Sequence, residues 1–245
     1  MSPTTTKVVT SARQSPEQFA DHLDEKVRRL LSEIERSEVY RSVFDPNAEP
    51  RYVATVIKYI LLEIFSYGPH LTEATFTAIG RMPKSRPDIM KVMIKHDLDE
   101  VNHGEMALRD FVKLGGDEQW ARSRHITPAS FVMSAVVRLL ADHECPFAYL
   151  GYMYPLESLS PILAERAQRQ MAAKEFPNSA RRFIDVHAVE DLAHSKLVRR
   201  LIEQAVEEYP EAASPIEYAF DCFTQVHPLP IWNAAMQAAQ AELAP

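Results

Sequence analysis

The residues best suited to chemistry lie in RFIDVHAVEDLAHSKLVRRL, residues 182–201. His187, Asp191 and His194 stand at i, i+4 and i+7. On a helix turning 100° per residue they fall within about 60° of one another. Phe183 and Leu201 share that face, which marks it as inward. Imidazoles and a carboxylate on one inward face are either ligands for a transition metal or members of a structural hydrogen-bond cluster. A second group lies in KHDLDEVNHGEMAL, residues 95–108, where Glu100 and His103 form an acid-x-x-His pair. His96 precedes them by one turn. Asp97, Asp99 and Glu105 crowd the same segment, so a solvated acidic face competes with a ligand face there. Two single acids complete the set: Glu63 in YILLEIFSY and Glu157 in YMYPLESLSP. An ionised carboxylate among leucines costs several kcal/mol unless something compensates it. A divalent cation would do so. For Glu63 a base such as Lys58 or Arg51 is the alternative, and Glu157, following Pro155, could instead cap a helix.

In chain order the parts are Glu63, Glu100-x2-His103, Glu157 and Asp191-x2-His194, with His187 in addition. One acid from each of two helices and an acid-x-x-His from each of two others is how helical bundles hold a pair of carboxylate-bridged metal ions. Carboxylates balance charge and bridge, while imidazoles bind terminally. Cys145 and Cys222 lie 77 positions apart with no CxxC spacing. One disulfide is a possible reading, two reduced, buried thiols the favoured one; the absence of clustered cysteines removes iron–sulfur and structural zinc sites. His96 reads as a pocket residue or as a donor orienting Glu100. His22, His70, His125, His143 and His227 have no partner pattern and read as surface or satisfied core positions.

These residues need helices to carry them, and the sequence supplies helical periodicity throughout. Ser15-Pro16-Glu17-Gln18 is a capping start, and Phe19, Leu23, Val27, Leu30 and Ile34 give an amphipathic helix over 16–38. A loop from Phe44 to Pro50 follows. Residues 51–67 form a very apolar helix, interrupted at Gly68-Pro69, with a second piece to about Ile79. RMPKSRP is a loop. Asp88 to Leu114 reads as one long helix stopped by Gly115-Gly116. Thr127-Pro128 starts another, to about Asp142. Pro146 to Lys174 is helical but broken by Pro155 and Pro161, so a kink or unwound turn is expected beside Glu157, able to reorder when metal binds. Asn178 caps a helix to about Glu208, Ser214-Pro215-Ile216-Glu217 starts the next, and Pro228 and Pro230 split the last. No segment alternates with period two. The expectation is an all-α single bundle of seven or more helices over 15–245, behind a disordered tail at 1–14.

Composition agrees and narrows the function. Of 245 residues, 46% are apolar, enough to bury a sizeable core, and 25% are charged. The six glycines form no phosphate-cradling loop. A formal charge of −7 argues against nucleic acid as a partner. The first residues, MSPTTTKVVTSARQ, contain no apolar signal core, and no apolar run approaches the roughly 20 residues of a membrane span. A soluble, cytoplasmic protein without a membrane partner is the expectation.

The order and spacing of these motifs resemble the haem-oxygenase-like di-iron oxidases and oxygenases, often described as iron-containing redox enzymes. These are relatives of the thiaminase-II and pyrroloquinoline-quinone-synthase folds. The resemblance covers about residues 50–210. It matches His187, Asp191 and His194 to the family's His-x3-Asp-x2-His helix, Glu157 to the acid some thirty residues earlier, and Glu100 and His103 to an earlier helix. Glu63 corresponds to an acid whose place varies among members. Where some members have an acid seven residues before the second-motif histidine, this chain has His96. The ferritin-like di-iron fold usually lacks a histidine four residues before the last acid, so His187 favours the first family. The resemblance implies two Fe(II) ions per chain held by Glu63, Glu100, His103, Glu157, His187, Asp191 and His194. It also implies dioxygen as co-substrate and a peroxo-di-iron intermediate. The substrate would be a small amino acid, amine or fatty acid, undergoing desaturation, C–C cleavage or N-oxygenation. His96, Phe147, Tyr152 and Tyr154 would line its pocket. Lys95, Arg138 or Arg182 could meet a substrate carboxylate. Such bundles commonly form homodimers. The readings from other classes are a cofactor-free thiaminase-II-like hydrolase or binding protein using Cys145, and a ferritin-like metal-binding protein without substrate oxidation.

Overall fold

A computed structural model describes residues 14–245; of Glu190, Asp191 and Leu192 it describes the backbone alone. Among the described residues there is no strand. The helices are α1 (Pro16–Arg36), α2 (Glu38–Phe44), α3 (Pro50–Arg81), α4 (Pro87–Glu100), α5 (His103–Lys113), α6 (Glu118–Ser123), α7 (Pro128–Ala141), α8 (Ala148–Ala173), α9 (Arg182–Glu208), α10 (Ala213–Val226) and α11 (Leu229–Leu243). No helix among these is long and apolar enough to cross a membrane.

Local chemistry sets many of the boundaries. Ser15 and Gln18 form the reciprocal capping box that opens α1, and Thr127 accepts from the Ser130 N–H to open α7 behind Pro128. Glu49 plays the same part for α3, accepting from the Tyr52 N–H with Pro50 in the first turn. The short helices α2 and α6 fall where the sequence suggested the end of a helix and a loop.

Three expectations at prolines and loops are corrected. α3 runs unbroken through Gly68-Pro69, and α8 runs unbroken through Pro155 and Pro161. Each interior proline deletes one N–H and costs about 3 kcal/mol. The packing recovered exceeds this cost. α8 buries Tyr149, Leu150, Tyr152 and Leu159 between α9 and α10, and α3 is packed on by α4, α5, α7 and α11. Gly68 serves that packing. A Cβ placed there would stand 3.4 Å from the Gly104 Cα, so α3 and α5 cross backbone to backbone. Conversely, the single helix expected over 88–114 is two. α4 ends at Glu100, Asn102 takes φ −102°, ψ 2°, and α5 restarts at His103.

Two apolar clusters fill the interior. One joins α1, α8, α9 and α10 around Leu23, Ile34, Tyr149, Tyr152 and Phe220; the other joins α2, α3, α5 and α11 around Val53, Leu61, Leu62 and Phe111. Ile64, Leu229 and Trp232 touch both. The acids and imidazoles of interest lie along this seam.

Candidate metal centre

Four helices deliver polar groups to one buried place: α4 brings His96 and Glu100, α5 His103, α8 Glu157, and α9 His187 and His194. Two sets of donor atoms cluster, each within 4.8 Å of one another. The first is His96, Glu100 and His194; the second is Glu100, His103 and His187. Glu100 belongs to both. Its Oε2 lies 2.5 Å from His103 Nδ1, and its Oε1 lies 3.5 Å from His194 Nδ1. Glu157 adjoins the first set, with Oε1 3.1 Å from His96 Nε2 and Oε2 3.6 Å from His194 Nδ1. The His96 and His194 rings stand 4.4 Å apart, those of His103 and His187 4.6 Å.

The break between α4 and α5 contributes to this arrangement. It places Glu100 at the last turn of one helix and His103 at the first residue of the next. The start of α9 is pinned to α5, because the buried Asp110 carboxylate accepts the Phe183 N–H at 2.7 Å. One turn on, His187 Nδ1 donates to the Phe183 carbonyl at 2.7 Å. A donating Nδ1 fixes the tautomer and frees Nε2 as a lone-pair donor, a common preparation of a metal-binding imidazole.

The electrostatics call for positive charge. Burial by itself would raise the Glu157 carboxyl, but hydrogen bonds from His194 and His96 outweigh it and hold the group down at about 2. Burial would likewise lower His96, yet the hydrogen bond and charge of Glu157 raise it instead. The buried Glu157 carboxylate is thus held ionised against two imidazoles, and the Nδ1 of His96 has no hydrogen-bond partner. A set of carboxylate and imidazole donors this close fits divalent first-row metal ions.

Other expected residues are placed elsewhere. Glu63 is buried, but it joins neither donor set. Arg124 Nη2 lies 3.1 Å from its Oε1, and the hydroxyls of Thr127 and Ser130 donate to its Oε2, the latter at 2.6 Å. The carboxylate thereby sits at the N-terminus of α7, where helix dipole and guanidinium compensate it without a metal. Tyr154 donates to Asp24 of α1, and Phe147 packs on Tyr209 with ring centroids 5.1 Å apart, so neither faces the site. The side chain of Asp191 lies outside the described residues; its helix position falls between His187 and His194.

The centre forms one wall of a cavity of about 500 Å³. The cavity follows α3 from Ile57 to Thr75, about 27 Å of helix at 1.5 Å per residue, and α8 from Tyr149 to Ala167. Beyond His103 and His187 its lining is aliphatic, with Ile57, Ile60, Leu61, Leu163 and Ala164. Beyond His96 it turns polar, with Thr75, Asp97, Tyr149, Tyr152 and His227. Sequence reasoning included Tyr152 but missed Asp97, taken for part of an acidic surface, and His227, taken for a satisfied histidine. Asp97 is 3% exposed and its Oδ2 has no hydrogen-bond partner, nor do the Tyr152 hydroxyl and His227 Nδ1. Burial pushes Asp97 up to about 6 and His227 down to about 3. Lys95, Arg138 and Arg182 do not line the cavity. Cys145 does not line it either, and burial raises its thiol, the opposite of an activated nucleophile.

With the geometry in place, comparison with known proteins is informative. The sequence profile described as iron-containing redox enzyme matches residues 67–226. The chain belongs to that family. Its match begins after Glu63 and contains every residue of the two donor sets. No curated protein matches significantly. Solved structures show that the fold is haem-oxygenase-like. A domain of unknown function with a heme oxygenase-like fold from Shewanella denitrificans OS217 superposes with a TM-score of 0.73 at 18% identity, covering 91% of this chain and 94% of the other. A TenA homologue from P. horikoshii OT3 gives 0.70 at 16%, covering 89% and 98%. A TenA homologue from Pseudomonas syringae pv. tomato DC3000 gives 0.70 at 11%, covering 93% and 98%.

Proposed function

We propose that this redox-family chain is a non-haem di-iron oxidase or oxygenase that activates dioxygen to oxidise a small organic substrate. The observation that carries the reading is Glu100, a single half-buried carboxylate shared by two triads of donor atoms. One ion would be held by His96, Glu100 and His194 with Glu157 beside them, the other by Glu100, His103 and His187. Asp191 is expected to join from α9. Two ferrous ions so placed would supply the electrons that reduce dioxygen and the oxidising power that follows.

The chain's own groups do the rest. Glu100 and Glu157 balance the charge of two cations in a medium where unpaired charge is costly. His187, oriented by the Phe183 carbonyl, presents a fixed lone pair rather than a rotating one. The aliphatic arm takes up the unreactive part of the substrate and keeps water from the reacting bond. Desaturation, C–C cleavage and N-oxygenation are all within such a site's reach.

The test is metal analysis of protein loaded anaerobically with Fe(II), followed by exposure to oxygen with absorption spectroscopy and a panel of amines, amino acids and fatty acids. About two irons per chain and substrate-dependent oxygen uptake, abolished by chelators, are expected. Glu100→Ala is expected to lower the bound iron below one per chain. Protein that binds no iron, or whose oxygen uptake ends once its iron is oxidised whatever substrate is present and with ascorbate supplied to reduce the iron again, is not such an enzyme.

A further inference from the structure

The polar end of the cavity holds more than the metal-centre reading uses. Asp97, Tyr152 and His227 come from α4, from α8 and from the turn before α11, and each leaves a buried polar atom without a partner beside the same space. The three are linked through their neighbours. The charge of Asp97 acts on Tyr149, whose hydroxyl lies 3.0 Å from that of Thr75. The Tyr149 and Tyr152 rings stack at 5.9 Å, and Tyr67 meets His227 edge-on at 6.0 Å. Orphaned buried polar groups are rare and costly, so three around one space mark a place prepared for a ligand's polar atoms.

The charge of that place is one-sided. Among the described residues no lysine or arginine lines the cavity anywhere along its length. Its charged lining outside the metal centre is Glu73, Glu105 and Asp97. Glu73 is engaged by Arg138, and Glu105 by Arg122 at 2.7 Å, both partly exposed. Asp97 alone is deeply buried, with no lysine or arginine among the described residues lining the space beside it; the charged groups that act on it are His96 and Glu100. Tyr149 stands near Asp97, Tyr152 stacks on Tyr149, and Tyr67 lines the same cavity; burial keeps their phenols protonated, and aromatic rings attract cations. A carboxylate head would meet repulsion here and no compensating base. An ammonium head would meet a carboxylate and aromatic faces.

We propose that this end of the cavity is a subsite for the protonated amine of an alkyl-chain substrate, with Asp97 as its counter-ion and the apolar arm as the seat of its chain. It rests on the di-iron reading only for what happens to the amine afterwards; the recognition itself is a property of Asp97 and its aromatic surround. His227 and Tyr152 supply further hydrogen-bonding groups for the head, and His227, kept neutral by burial, adds no competing positive charge.

The experiment compares n-decylamine, n-decanol and n-decanoate, below their micellar concentrations, by isothermal titration calorimetry. The full chain is used both metal-free and loaded with Fe(II) under nitrogen, with iron counted on the same samples. Decylamine is expected to bind at least ~10-fold more tightly than either analogue in both forms. Asp97→Asn, which keeps the shape and removes the charge, is expected to lower decylamine affinity about tenfold and leave decanol unchanged. Tyr152→Phe provides a second variant, expected to weaken the amine by a smaller factor. Decanol or decanoate binding as well as decylamine to the wild-type protein overturns the proposal, as does Asp97→Asn leaving the amine affinity unchanged while circular dichroism shows it folded. Two irons per chain without amine preference sinks the subsite and leaves the di-iron reading standing. Amine preference without bound iron does the reverse.

Discussion

Glu63, buried on α3, and Glu100, half-buried at the end of α4, are both interior-facing acids, yet their surroundings assign them different work. Glu63 faces a guanidinium and two hydroxyls at a helix start, while Glu100 faces imidazoles from three directions. Glu63→Gln is therefore expected to leave bound iron unchanged while costing roughly 3 kcal/mol of stability, because Arg124 loses its counter-charge in a poorly solvated place. Metal analysis and urea unfolding of the one variant read both effects; a loss of iron would return Glu63 to the ligand set. The sequence placed an acid in a leucine-rich helix but could not say which base or hydroxyl would fold against it. The partner, Arg124, lies 61 positions away and the hydroxyls of Thr127 and Ser130 further still. His187 and His194 were readable because helical spacing alone puts them on one face. His96 was half readable: its face was clear, its Glu157 partner was not.

At the scale of elements, what local chemistry controls was legible and what long-range packing controls was not. The capped starts at Ser15 and Thr127 depend on neighbours three residues away. Gly68-Pro69 looked like a break because its purpose, the approach of α5, is visible only in three dimensions. The same crossing yields a prediction. A Cβ at Gly104 would meet the Phe65 carbonyl at 3.8 Å and the Gly68 Cα at 4.0 Å, which is ordinary contact, so the added γ carbons of a branched side chain are what should press on the crossing. Gly104→Ala should be tolerated, and Gly104→Val should cost about 1–3 kcal/mol by forcing the helices apart. Because His103 is the adjacent residue, the valine variant should also weaken the iron proposed for His103 and His187, read as a lower iron stoichiometry at limiting metal. Equal iron binding by both variants would separate the crossing from the site.

For the whole molecule, burying neutral His227 ties stability to acidity. Its folded value of about 3 lies below the unfolded value of about 6.5, so between these limits the unfolded chain takes up a proton that the folded chain refuses. Stability is complete above pH 6.5 and falls as pH drops toward 3, by about 1.4 kcal/mol per unit inside the window. Asp97, raised to about 6 by burial, acts in the opposite sense below that pH, which is why the measurement is a difference. Urea midpoints at pH 7, 6 and 5 should fall more steeply for the wild type than for His227→Phe, which keeps the aromatic contacts with Tyr67 and Phe223. Parallel lines for the two proteins would mean that the imidazole titrates normally.

The interruption at Val101–Asn102 has a further consequence. With Glu100 finishing one rod and His103 beginning another, the two halves of the donor set answer to separate mechanical supports. Substitutions on the outer face of α5 can nudge a single imidazole and leave the ring pair beside Glu157 undisturbed. Evolution and the protein engineer alike are given a separate adjusting screw for one of the two donor triads.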